Sequence, residues 1–445
     1  MQDPSLLHAL AQSLLNGESA VELIVDRCSR TLGRRWRWIR PLALRYAKHF
    51  GSQTRPRHRE VVKFLENDRG LRRAHTKYPE QFSLDEWWEE PHRMQPIEAA
   101  KSWDVPAIES VGDLAKWLGL SPNELRWFAD LKALEYKGNN SRLRNYSYRI
   151  LAKRFGRMRL IEAPKARLKD RQQQILAWIL AKIPAHPAAH GFVKKRSIRT
   201  SVAPHVGRRV VLRMDLRDFF PTFSGARIQT VFRMLGYPES VADLLGGICA
   251  NATPRNVWED VSADGDPIYL SEIRRLYARP HLPQGAPTSP ALANLCAYRA
   301  DCRLNGLARA AGATYTRYAD DLAFSGGADF DRCVARFAIH AAAILLEEGF
   351  EVNHRKTRVM RRGVRQHLAG VVTNEHVNVV RADFDRLKAT LTNCVRHGPA
   401  SQNREGHANF RAHMAGRISF VEMLNPQKGA RLKKIFEQIS WPDVE

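Results

Sequence analysis

Two apolar segments of this chain end in acid, and that pattern limits the folds open to it more than any other feature. In "RRVVLRMDLRDFFPTF" a run of the kind buried in a sheet stops at Asp215, which places the carboxylate at the sheet edge. In "ATYTRYADDLAFS" apolar runs flank Ala319 to Asp321, the pattern of a tight hairpin whose turn holds Asp320 and Asp321 close together. Three converging carboxylates repel one another and raise their pKa values unless something compensates them. Divalent cations would: Mg²⁺ takes oxygen ligands from a few carboxylates and substrate phosphates, and two such ions suit phosphoryl transfer. Taken alone, an Asp-Asp pair in a turn is more often a solvated cap, so the surrounding sequence has to decide.

Charge narrows the partner. The chain carries 71 Lys and Arg against 46 Asp and Glu, a net of +25 with His neutral, and the surplus reads as spread along the chain rather than confined to a tail. Nucleic acid is the partner this predicts, because dispersed Lys and Arg neutralise phosphates. An anionic membrane surface fits less well, since no basic amphipathic anchor is evident. No stretch approaches the roughly 20 apolar residues of a membrane span, and the N-terminus lacks the basic start and cleavage site of a signal peptide, so a soluble protein is expected. Six cysteines, Cys28, Cys249, Cys296, Cys302, Cys333 and Cys394, show no CxxC pairing and are expected to be reduced and mostly buried.

With 445 residues, 44% of them hydrophobic, two or three domains are expected. Residues 1–110 read as helical and become strongly basic. "RRWRWIRPLALRYAKHF" interleaves Arg with Trp and Tyr: either the aromatics stack on bases, or they form the core side of an amphipathic helix whose arginines are solvated. The acidic, Pro-bounded stretch 78–96 reads as a connector or docking surface. From Val111 onward Ser121 and Glu124 have the spacing of a capping box, "YSYRILAKRFGRMRLIEAP" alternates like a hairpin, and strands then alternate with helices before a helical, basic end.

"YADD" after a strand, "MDLRDFF" upstream and "HLPQGAPTSPALANL" between them, in that order, resemble the palm motifs of reverse transcriptases. From about residue 112 to about 440 the chain is similar to the retron subgroup of the bacterial enzymes. "AAHGFVKKRSIRTSVAPHVGRRVVLRMDLRDFFPTF" resembles its fingers-to-palm block, and "GRISFVEMLNPQKGARLKKIF" its thumb. Two departures stand out. Ser201 to His205 keep only the His of the usual Asn-Ala-x-x-His, and Leu368, Ala369 and Gly370 replace the usual Val-Thr-Gly.

The resemblance implies an α/β (α+β) right-hand polymerase, with a basic helical region over 1–110, fingers and palm over 111–375 and a thumb over 376–445. It implies RNA-templated extension of a 3′-hydroxyl by dNTPs. For the retron type it further implies a dedicated structured non-coding RNA as template and primer, and a short multicopy single-stranded DNA linked to RNA. The setting would be antiphage defence in the bacterial cytoplasm, with an effector protein as partner. Another bacterial reverse transcriptase, of the abortive-infection or diversity-generating type, is the alternative within the enzymes. A non-catalytic RNA-scaffolding protein is the alternative outside them, and intact Asp215, Asp320 and Asp321 argue against it.

By the same resemblance Asp215, Asp320 and Asp321 are the catalytic ligands of two Mg²⁺, with Mn²⁺ the alternative ion and the Leu216 carbonyl a further ligand. Phe220 falls where the family excludes a 2′-hydroxyl, while Phe219 reads as core. Gln284 and Gly285 match the loop beneath the incoming nucleotide. Arg159 and Arg171 lie in the region that grips the triphosphate, where a guanidinium suits phosphate oxygens, with Lys165 and Lys169 as further candidates. Lys356 matches the palm lysine that protonates departing pyrophosphate, or else makes a plain phosphate contact. His205 either helps shape an RNA-contacting loop or is a packed structural residue.

Overall fold

The computed structural model describes residues 4–16, 20–51, 56–85, 94–137, 143–152, 158–259 and 267–441. Of the stretch 78–96, residues 86–93 lie outside them. The described chain divides into two compact units, one built from 1–184 and 220–296, the other from 185–219 and 297–445.

The first unit begins with five helices, α1 (Pro4–Leu15), α2 (Val21–Thr31), α3 (Ile39–Phe50), α4 (His58–Asn67) and α5 (Arg69–Lys77). Each turns an apolar stripe at three- and four-residue spacing into one shared core, seen in buried Leu6, Leu10, Ile24, Leu42, Leu65 and Leu71. Trp36 and Trp38, partly buried, pack against that core and Tyr46 lies within it, while Arg34, Arg35, Arg37 and Arg40 are exposed. Of the two readings left open by the sequence, burial favours the amphipathic one. Asp68 caps α5 by accepting from the Leu71 amide at 2.6 Å and also grips Arg45.

Further along, Ser121 and Glu124 form the expected capping box at the start of the helix Pro122–Ala129. The predicted hairpin is β1 (Tyr146–Ala152) paired antiparallel with β2 (Met158–Pro164). The helix Ala166–Trp178 follows it.

The second unit is organised by a four-stranded antiparallel sheet in the order β4-β5-β3-β6, where β3 is Val210–Asp215, β4 Ala313–Tyr318, β5 Asp321–Gly326 and β6 Arg358–Arg361. Side chains alternate across it. Phe324 faces the helix Ala328–Glu347 and meets Phe337 there, whereas Val211, Ala323 and Met360 join a core with Leu387, Leu391 and Ile418 of the C-terminal helices. Those helices are Arg381–His397, Phe410–Leu424 and Pro426–Phe436. The stretch "SPALANLCAYRADCRLNGLARAAG" forms two helices, Ser289–Cys296 in the first unit and Tyr298–Ala310 in the second. All six cysteines are free, and Cys28, Cys249, Cys296 and Cys394 are buried. No helix among the described residues is long and apolar enough to cross a membrane.

Candidate active site

The sheet of the second unit delivers its acids to one end. Asp215 closes β3, and its register partner across the ladder is Asp321, the first residue of β5. Tyr318 pairs with Asp321, so β4 and β5 are joined by only Ala319 and Asp320. A two-residue hairpin turn needs a positive φ, and here Ala319 supplies it at +56°, a conformation usually left to glycine. The strain is held from several sides. The Ala319 carbonyl accepts from Arg317 at 3.2 Å, the Leu216 amide donates to the Asp320 carbonyl at 2.9 Å, and Gly191 presses so close that a Cβ on it would lie 2.6 Å from the Ala319 nitrogen.

The three carboxylates are compensated unequally. Asp215, nearly buried, accepts from Asn353 at 3.0 Å and from the Lys356 ammonium at 2.9 Å. One oxygen of Asp321 accepts twice from the Arg213 guanidinium, at 2.9 and 2.7 Å. Asp320 is left with the conflict: burial, then the Asp321 and Asp215 charges, push its pKa up to about 6. As they stand, no three His, Cys, Asp or Glu side chains among the described residues converge into a set that could hold a metal ion. Arg213 pairs with Asp321 and Lys356 with Asp215. The donor set nonetheless fits a divalent cation, being hard oxygens with negative charge left over at Asp320.

Behind the turn lies a buried ion pair that the sequence did not single out. Arg317 and Asp301, each 1% exposed, meet through two hydrogen bonds of 2.8 and 2.6 Å, and the Tyr315 hydroxyl donates to the same carboxylate at 2.8 Å. A signal was available: Asp301 lies on the same helix face as Ala297, Leu304 and Ala308, all buried.

His205 requires a correction. Its ring is fully buried, one nitrogen against the Ser325 hydroxyl at 2.7 Å and the other against Thr316 at 2.8 Å. Burial, with Arg208 and His190 nearby, drives its pKa down to about 3. It packs inside the second unit and offers no ring atom to an RNA.

In the first unit the expected nucleotide loop is clamped onto β2. The Glu162 amide donates to the Gln284 carbonyl at 2.9 Å, and Gly285, with φ +138°, sits where a Cβ would come within 2.8 Å of the Glu162 carbonyl. Glycine is required there twice over. Under the loop, wholly buried Glu162 accepts from His281 at 2.9 Å, Asn251 at 2.9 Å and Thr253 at 2.8 Å. None of these four was singled out by sequence, because the partners are far apart along the chain.

Phe220 is half-buried and Arg159 is exposed on β2. Arg171 is a second correction: its guanidinium donates to the Leu118 carbonyl and to Gln174, tying helices together rather than facing outward for phosphate. Phe219 is core, stacked 6.1 Å from Phe350.

Residues 151–381 match the family described as reverse transcriptase (RNA-dependent DNA polymerase). The retron Mx65 reverse transcriptase of Myxococcus xanthus is 42% identical over 336 residues, 75% of this chain and 72% of that protein. The retron Mx162 reverse transcriptase of the same organism is 36% identical, covering 76% and 68%. The retron Ec86 reverse transcriptase of Escherichia coli is 31% identical, covering 74% and 88%.

Proposed function

Because this chain belongs to the retron reverse transcriptases, we propose that Asp215, Asp320 and Asp321 hold the divalent cations of its RNA-directed DNA polymerase site. The family uses divalent metal ions; Mg²⁺ in two copies is our assignment, with Mn²⁺ as the alternative and the Leu216 carbonyl as a further ligand. Bound there, such ions supply activation of the primer 3′-hydroxyl and neutralisation of the leaving oxygen. The protein's own part is placement. Asn353 and Lys356 fix the Asp215 carboxylate at the end of β3, and Arg317 fixes the turn that presents Asp320. The Lys356 side chain, 56% exposed and paired to Asp215, is our candidate for protonating pyrophosphate.

For the nucleotide itself we assign Gln284 and Gly285 as the floor, Phe220 as the residue that rejects a 2′-hydroxyl, and Arg159 as a triphosphate contact. The substrates are then dNTPs. The template and primer we propose are a dedicated structured RNA, and the product a short single-stranded DNA joined to it. Antiphage defence in the bacterial cytoplasm, with an effector protein as partner, completes this reading. We divide the chain into a basic helical region over 1–110, fingers and palm over 111–375 and a thumb over 376–445.

The observation that carries the catalytic assignment is the register that sets Asp215 opposite Asp321, one residue from Asp320. The test of the template is purification from the native genetic context, followed by sequencing of copurified nucleic acid with and without debranching. One abundant RNA joined to a short complementary DNA is expected. Heterogeneous RNA with no linked DNA would remove the dedicated template.

A further inference from the structure

The basic surplus is less evenly spread than expected: half of the net charge sits in one short segment. Residues 27–77 hold 16 Lys and Arg against 3 Asp and Glu, a net of +13, which leaves +12 for the other 394 residues. Its described residues include α2's last turn, α3, α4 and α5, packed with α1 on one shared core and outside the residues 151–381 that match the family.

Its side chains are sorted in a way that selects the ligand. No Trp, Tyr or Phe between 27 and 77 is exposed, and the one exposed ring beside them, Tyr78 just past α5, has the Lys77 ammonium 5.2 Å from its centroid, so the row itself carries charge and not a stacking platform. Two of the three acids are engaged: Asp68 is held by Arg45, and Glu60 accepts from the Arg57 amide at the start of α4. That leaves Arg69, Arg73 and Lys77, exposed on α5 at four-residue spacing, with no carboxylate partner among the described residues. Spaced at ~6 Å along one side of the helix, with Arg72 beside them, they form a cationic row. Charge without stacking reads a phosphate backbone and is indifferent to sequence. An anionic lipid surface would also offer phosphates, but binding there draws on an apolar face laid into the membrane, and these helices turn theirs into the core.

We propose that the α3–α5 module is a docking surface for folded RNA, gripped through its phosphates by the α5 row and independent of base sequence. This rests on the enzyme acting on a structured RNA, and it adds where that RNA is held outside the polymerase motifs. The test uses the full-length protein and two stem–loop RNAs of unrelated sequence, with binding followed by fluorescence anisotropy across a salt series. In the variant Arg69→Glu/Arg73→Glu/Lys77→Glu, the slope of log affinity against log salt is expected to shrink by about 2 to 3, at roughly 0.7–0.9 for each phosphate no longer neutralised. The shrinkage is expected to be equal for both RNAs. Arg69→Gln/Arg73→Gln, which keeps the helix free of new acids, is expected to shrink it by about two-thirds as much. A wild-type slope in both variants overturns the proposal, as does a loss confined to one RNA, or a loss seen only in binding to vesicles of anionic lipid. Extension of a short annealed primer–template by the same wild-type preparation tests the polymerase reading separately. No extension defeats that reading, whereas extension with unchanged slopes defeats only this one.

Discussion

Glu162 in the first unit and the Asp215, Asp320 and Asp321 group in the second are carboxylates withdrawn from water, and the fold treats them in opposite ways. Glu162 meets donors from His281, Asn251 and Thr253, all of them buried with it. The aspartates meet an ammonium that is more than half exposed and a guanidinium on one side only, and Asp320 is pushed up to about 6. A buried charge answered completely by its surroundings becomes structure. One that is left partly unanswered is held ready for something that arrives from solution.

The sharpest way to break this comparison is Asp320→Asn. Removing one of three mutually repelling acids is expected to leave the melting temperature unchanged or raised, while single-turnover dNTP incorporation falls by about a thousandfold or more. Substantial incorporation by the Asn variant would mean that the acid end of the sheet is not the reaction centre.

The reverse pattern is expected at Glu162. Glu162→Ala strands the His281 ring and two polar side chains in a dry interior, and breaking a buried pair in this way costs about 3 kcal/mol. Urea unfolding of the variant measures it. A cost below ~1 kcal/mol would show that Glu162 does not support the 281–286 loop in the way its hydrogen bonds imply.

How far this contrast could be read in advance depends on distance along the chain. Asp215, Asp320 and Asp321 drew notice because each ends or interrupts a short apolar run, a local pattern that survives without knowing the fold, and the resemblance of the surrounding residues to polymerase motifs singled them out. Gln284 and Gly285 were legible from a distinctive run of residues. Glu162 and His281 were not, since they stand 119 positions apart and each looks like an ordinary polar residue until the chain brings them together. Arg171 misled for the opposite reason: a basic residue in a basic helix resembles a phosphate ligand, and only the fold turns it toward the Leu118 carbonyl. His205 was drawn toward RNA by a motif, and its hydrogen bonds to Ser325 and Thr316 place it inside the second unit.

A smaller effect separates rigidity of the turn from its charge. In Gly191→Ala the new methyl meets backbone, the Ala319 nitrogen at 2.6 Å and the Tyr318 carbonyl carbon at 3.2 Å, so the turn itself has to give. Displacing the carboxylates without removing them is expected to lower kcat by about tenfold with the KM for dNTP nearly unchanged. A variant that raises KM while preserving kcat would place Gly191 in nucleotide binding instead of behind the turn.

The smallest effect is read in pH, and it distinguishes two of the buried histidines, His281 and His205. Burial opposes a charge on His281, but the Glu162 carboxylate and its hydrogen bond outweigh it, so the His281 pKa stands above its ordinary 6.5. A histidine raised on folding contributes stability that is complete below 6.5 and is lost as pH climbs through the folded value. His205, driven down to about 3, does the reverse: its contribution is complete above 6.5 and is lost as pH falls toward the folded value. Between them they favour a window around neutrality. In His281→Gln the decline in unfolding free energy on the alkaline side should flatten, by no more than about 1.4 kcal/mol for each pH unit of that limb, while the acid limb, to which His205 contributes, stays. If the alkaline limb persists unchanged in the variant, His281 is neutral in the folded protein and Glu162 is answered by neutral hydrogen bonds alone, which would weaken the contrast with the aspartates at its structural end.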